Sequence, residues 1–150
     1  HMQIPSQLQE YKKKTLIVVS DSVQAKMFLA YKRTVEDVGH ITSNYPPKEN
    51  AERASGQSGS GSHFAEQNEK IEEISLEKLY AKLSKDLMHR LQAKEFEELI
   101  FTVPQEHVRE LKESVHINLL KLTHIWVPKL LINEDLKDIL IHVEETEPIE

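Results

Sequence analysis

The sequence predicts an α/β fold: one domain built on a mixed five-stranded sheet with helices packed on it, in the order β-β-β-α-β-α-β-α. Three observations predict it. A continuous apolar, β-branched run, TLIVVS, fills residues 15–20. Apolar residues recur at helical spacing from Phe64 to Leu91. Two later apolar runs, around Leu99 and Ile125, are each followed by helix-forming sequence. With 150 residues, one domain is the simplest partition. A chain of that length can bury about 70% of its unfolded surface.

The elements follow in order. Residues 1–13 read as a flexible lead-in, because they are polar, lack periodicity and open on His1-Met2, which resembles a cloning remnant. The domain is expected over 14–144, and 145–150 as an acidic tail. A run as uniformly apolar as TLIVVS suits a strand covered on both faces. Asp21-Ser22 then marks a turn, and KMFLAY a second strand. In VEDVGHITS (35–43), Val35, Val38 and Ile41 are not in perfect alternation, so a bulge near Gly39 is expected.

Residues 44–62 form a long loop by composition. They hold Pro46, Pro47 and three of the chain's four glycines, Gly56, Gly59 and Gly61. Connections of that length in a compact domain are functional or unstructured. An amphipathic helix follows over about residues 64–93, with Ser62 as its N-cap and a break possible near Ser75. Leu99 to Val103 form a buried strand, and Pro104 suits the first turn of a helix carrying Val108, Leu111 and Val115. HIWVPKLL (124–131) is a further strand, which Pro128 pushes to an edge or a bulge. Asn133 is the expected cap of a last helix burying Leu136, Ile139, Leu140 and Val143.

Composition narrows the chemistry. The net charge of −6 removes any general attraction for phosphate, so DNA is not an expected partner and RNA would need a local basic patch. There is no cysteine, hence no disulfide and no thiolate chemistry. No apolar run reaches membrane-spanning length and the start lacks a signal-peptide pattern, so a cytoplasmic protein without membrane insertion is expected. No nucleotide-binding, nucleophile-elbow or zinc-protease motif occurs, so no cofactor is expected. The eight histidines are scattered along the chain, so no metal site is expected.

Three stretches remain as binding candidates. Lys12, Lys13 and Lys14 could touch phosphate, or could be a solubilising flank. Asp21, with Ser22, follows a buried strand, where α/β proteins often place working residues; equally, Asp21 could accept backbone N–H bonds in a turn. Ser55, Gly56, Gln57 and Ser58 offer backbone N–H groups and a side-chain amide that could hold a water, a phosphate or a carbonyl. The same composition describes a flexible tether.

The stretch TLIVVSDSVQAKMFLAY resembles the opening of the bacterial host attachment protein family: an apolar strand, an Asp and a small/basic segment before Phe28. A Gly-rich loop, a long charged helix, a strand ending at Pro104 and a short helix continue the likeness over about residues 14–143. That family is similar in turn to the middle domain of archaeal and eukaryotic release factors, whose Gly-Gly-Gln loop promotes peptidyl-tRNA hydrolysis. The resemblance implies that Gly56-Gln57 is the matching pair, with Ser55 standing where the motif has its first glycine. It implies either a non-catalytic protein acting through a partner-binding surface, or a ribosome- and tRNA-associated factor acting through Gln57. A metal-assisted hydrolase would need a second carboxylate beside Asp21, and none is legible.

Overall fold

A computed structural model of the chain describes residues 1–43 and 61–149, the side chains of 61–69 excepted. Strands β1 (Met2–Gln3), β2 (Tyr11–Ser20), β3 (Gln24–Lys32) and β4 (Thr34–Thr42) come first, then helix α1 (Gly61–Gln92). Strand β5 (Glu98–Thr102), a 3-10 turn (Gln105–His107) and helices α2 (Val108–Ser114) and α3 (Ile117–Leu122) follow. Strand β6 (Thr123–Val127) and helix α4 (Leu136–Glu145) complete the described order.

The predicted class holds, but the sheet has six strands rather than five, ordered β1-β4-β3-β2-β5-β6. Strands β2, β5 and β6 are parallel to one another, whereas β2, β3 and β4 form an antiparallel meander. The extra strand comes from the segment expected to be a loose lead-in. Met2 and Gln3 pair with Val35 and Thr34, Ile4 N–H donates to the Arg33 carbonyl, and Ile4 and Leu8 are buried. The few apolar residues of this polar stretch give no periodicity to read, so the burial of Ile4 and Leu8 is a tertiary effect.

Strand β2 lies in the middle, and its side chains from Thr15 to Ser20 are all buried. Leu16 and Val18 face a core shared with Leu79, Leu83 and Leu87 of α1. Ile17 and Val19 face the opposite core, shared with Ile139, Leu140 and Val143 of α4. Alternate residues of one strand thus feed two cores, which is why the sequence shows no polar face there.

The bulge expected near Gly39 is present. Met27 pairs with Gly39 and Phe28 with Asp37, which leaves Val38 as the extra residue. Arg90 of α1 reaches this point and donates from Nη2 to the Val38 carbonyl at 3.0 Å. A Cβ on Gly39 would stand 2.6 Å from Arg90 Nη2 and 2.8 Å from Met27 Cε, so glycine permits the close approach.

Other expectations need correction. Helix α1 runs unbroken through Ser75 and begins at Gly61, one residue before the expected cap Ser62. Helix α3 was not foreseen; the His116 side chain caps it, Nδ1 accepting from Asn118 N–H at 3.0 Å. Asp135, not Asn133, stands at the N-cap of α4. Strand β6 stops before Pro128, at the edge of the sheet where the proline is tolerated. No helix among the described residues is long and apolar enough to cross a membrane.

Candidate functional site

The loop candidates Ser55, Gly56, Gln57 and Ser58 lie outside the described residues. The points where that segment leaves and rejoins the fold are described in part. Strand β4 ends beside the start of β3, with Thr42 paired to Gln24. Lys82 of α1 donates from Nζ to the Thr42 carbonyl at 2.8 Å. Ser43 Oγ lies 2.8 Å from Ser75 Oγ in a buried hydrogen bond. Strand β4 is therefore tied to α1 where the chain departs toward residues 44–60.

The same end of the sheet holds Asp21 and Ser22. Asp21 Oδ1 accepts the backbone N–H groups of Val23 and Gln24, both at 2.8 Å, and Asp21 N–H donates to the Gln24 carbonyl at 3.0 Å. Of the two readings of Asp21, the structure supports the turn: its carboxylate closes the β2–β3 hairpin. Ser22 sits half-buried in the turn. Gln24 also links outward, its Oε1 lying 2.8 Å from His40 Nε2 on β4. The structure thus brings the Asp21-Ser22 turn and the root of the loop to one sheet end.

Acidic side chains act on one buried phenol near this end. Tyr80 of α1 is fully buried. Burial pushes this phenol above the usual tyrosine range, and the charges of Glu110, Asp21 and Glu106 add to the shift. A hydrogen bond with the Ser20 side chain acts the other way, the Ser20 hydroxyl itself donating toward the Asp21 and Gln24 carbonyls. Tyr80 falls beside Leu79 and Leu83 on the core face of α1, and its hydroxyl goes in with the ring. A tyrosine among leucines at helical spacing was the signal, since a buried phenol needs a partner.

The lysines lie elsewhere. Lys13 and Asp21 are at opposite ends of β2, about 26 Å apart at the rise of an extended strand. Lys12 and Lys13 line a cleft of about 550 Å³ formed with the N-terminal segment, β5, β6 and α4. Within it Glu98 serves two partners: Lys13 Nζ at 3.6 Å from Oε1, and His124 Nε2 at 3.2 Å from Oε2. Tyr11, at the cleft wall, is pushed up to about 12 by burial and by the nearby Glu144. Lys14 is exposed, and its carbonyl accepts from Glu97 N–H at 2.8 Å. Glu98 and His124 are far apart in sequence and meet because β5 and β6 are paired, so composition gave no sign of them.

No group of three or more His, Asp or Glu side chains among the described residues is arranged to hold a metal ion. Among the described residues, Thr102 Oγ1, His107 Nδ1 and His124 Nδ1 are buried without a hydrogen-bond partner.

These features define a class: an α/β domain whose meander is joined to its parallel half through residues 44–60 and a long helix. The family is then specific. The chain belongs to the Bacterial archaeo-eukaryotic release factor family 12, whose model matches residues 14–143. No curated protein matches the chain. Among solved structures, a similar one is Dom34 of S. cerevisiae, a translation termination-like factor involved in RNA quality control pathways and interacting with Hbs1. It is 12% identical with a TM-score of 0.44, and the match covers 90% of this chain and 37% of that one. The chain spans little more than a third of that protein's length.

Proposed function

We propose that the protein is a release-factor-like factor that acts on ribosome-bound peptidyl-tRNA through Gly56-Gln57. Family membership over residues 14–143 is the observation that carries this reading. In it the Gln57 amide orients a water toward the ester, and backbone N–H groups beside Gly56 stabilise the oxyanion as it forms. Residues 44–60, which contain the pair, leave the sheet at the end held by Ser43, Ser75 and Lys82. Lys12, Lys13 and Lys14 lie at the far end of β2 from the Asp21-Ser22 turn.

One observation favours a second reading, binding of a protein partner or a ribosome without hydrolysis, which is also the sense in which a host attachment protein would act. Ser55 stands before Gly56, and a serine does not have glycine's freedom at positive φ. The two readings separate in one assay. Purified protein is added to ribosomes carrying labelled peptidyl-tRNA, and both pelleting and peptide release are followed. Hydrolysis requires release that Gln57→Ala abolishes; pelleting without release supports the binding protein; absence of both sinks the translation role.

A further inference from the structure

Helix α1 separates its charges by flank. Glu73 and Glu77 share a cleft with Glu110 and Glu113 of α2. Lys78, Lys82, Lys85 and His89 stand on another face, all exposed, at successive spacings of four, three and four residues. Such spacings stack side chains into one stripe, about 16 Å long at the helical rise. Of the residues one turn away from these four, Asp86 alone is acidic, and Arg90 Nε holds it at 2.7 Å. Among the described residues, Lys82 and Lys85 make no ion pair.

Helix stability does not explain the pattern, because like charges one turn apart destabilise a helix. Nor does the macrodipole, which favours cations in the last turn, whereas Lys78, Lys82 and Lys85 lie in earlier turns. The position of the stripe is the second observation. Lys82 Nζ donates to the Thr42 carbonyl at 2.8 Å, and Ser75, one turn before Lys78, bonds Ser43. The stripe therefore begins where the chain departs toward residues 44–60, the segment that contains Gly56-Gln57.

We propose that this face of α1 binds the phosphate backbone of RNA. Ammonium groups on flexible stems neutralise phosphates one by one, without reading sequence. The net charge of −6 does not oppose this, because at about 0.1 M salt charges are screened beyond about 10 Å and the local balance decides. A membrane surface fits less well: an interfacial helix lays its apolar face into lipid, and α1 has that face in the core. The inference deepens the translation reading and rests on it for the kind of RNA, the strand whose ester Gly56-Gln57 acts on.

The test is fluorescence anisotropy of a fluorescein-labelled RNA hairpin titrated with the full chain between about 50 and 200 mM salt. The logarithm of affinity is expected to fall with the logarithm of salt at a slope of about 2–3, close to one unit per lysine engaged. Lys78→Gln, Lys82→Gln and Lys85→Gln combined are expected to weaken binding about tenfold and to flatten that slope. Lys85→Gln alone is expected to cost about threefold with a slope about one unit smaller, and Lys85→Arg to restore both. Lys121→Gln, Lys129→Gln and Lys137→Gln combined remove the same charge at exposed positions elsewhere, and are expected to leave affinity within about twofold. Glutamine is a good helix former, so thermal melting of the stripe variant is expected to match wild type. No binding, an unchanged slope in the stripe variant, or an equal loss in the control variant would overturn the proposal. So would tighter binding to phosphatidylserine vesicles or to poly-glutamate with the same mutational sensitivity, because the occupant would then be a membrane or an acidic protein. Gln57→Ala is expected to bind the hairpin as wild type does, so this contact and the release reading fail separately.

Discussion

Ser43 and Ser75 share a buried hydrogen bond, 2.8 Å between their hydroxyl oxygens, and through it the end of β4 is fastened to α1. Both residues are small, polar and buried, so each hydroxyl depends on bonds made inside the protein. Ser43→Ala and Ser75→Ala are each expected to lower the unfolding free energy by about 1–2 kcal/mol, because each leaves a buried group less well satisfied. The double variant is expected to cost less than the sum, since both substitutions remove one shared interaction. Urea titration of the four proteins measures this, and strict additivity would contradict it.

A second prediction concerns Gly39. Arg90 holds three elements together: Asp86 at 2.7 Å, Glu95 at 3.2 Å and the Val38 carbonyl at 3.0 Å. Gly39→Ala puts a methyl group where Arg90 Nη2 and Met27 Cε now lie, and both must shift. The contact to Val38 is the one that gives way. The expected loss is about 1–2 kcal/mol, in the range of one charge-assisted hydrogen bond with some repacking, and denaturant unfolding measures it.

The same glycine shows what was legible in the sequence. Imperfect alternation of Val35, Val38 and Ile41 announced the bulge, because the strand period is two and one extra residue breaks it. Likewise the uninterrupted TLIVVS announced a strand between two cores. Strand β1 was not legible, because Met2 and Gln3 are held only by a distant partner, β4. Neither was helix α3, six residues long and capped by a histidine instead of a usual capping residue. Of the candidate sites, Asp21 was legible at the end of a buried strand, and of its two readings the acceptor of backbone N–H bonds in a turn is the one the hydrogen bonds support. The wide separation of the Lys12–Lys14 run from the Asp21-Ser22 turn follows from strand length alone.

Asp21 carries a third prediction. Asp21→Ala removes the acceptor of two backbone N–H groups at the β2–β3 turn, and a loss of about 1–2 kcal/mol is expected. Asp21→Asn keeps an oxygen acceptor and is expected to recover most of that loss. A working residue would behave differently: peptide release would fall in both variants while stability stayed level in Asp21→Asn. Equilibrium unfolding alongside the release assay distinguishes the two.

Alkaline pH gives a fourth. Tyr11 is pushed from 10.0 to about 12 in the folded protein, first by burial and then by Glu144. Above pH 10 the unfolded chain ionises this phenol while the folded chain still holds it neutral. Its contribution to stability is therefore complete below pH 10 and is lost as the pH rises to about 12. Tyr80, shifted in the same direction, steepens the fall. Tyr11→Phe is expected to flatten the stability profile between those two values, and denaturant unfolding across that interval reads the difference. An unchanged slope in Tyr11→Phe would show that the fall has another origin.

The central claim is the act assigned to Gly56-Gln57, and release of labelled peptide from ribosome-bound peptidyl-tRNA tests it most directly. Wild-type protein is expected to release peptide above the rate without factor. Gln57→Ala is expected to reduce that release by about a hundredfold, the scale on which a positioned catalytic group acts, with its melting temperature unchanged. Release at the background rate by wild type and Gln57→Ala alike would contradict the account.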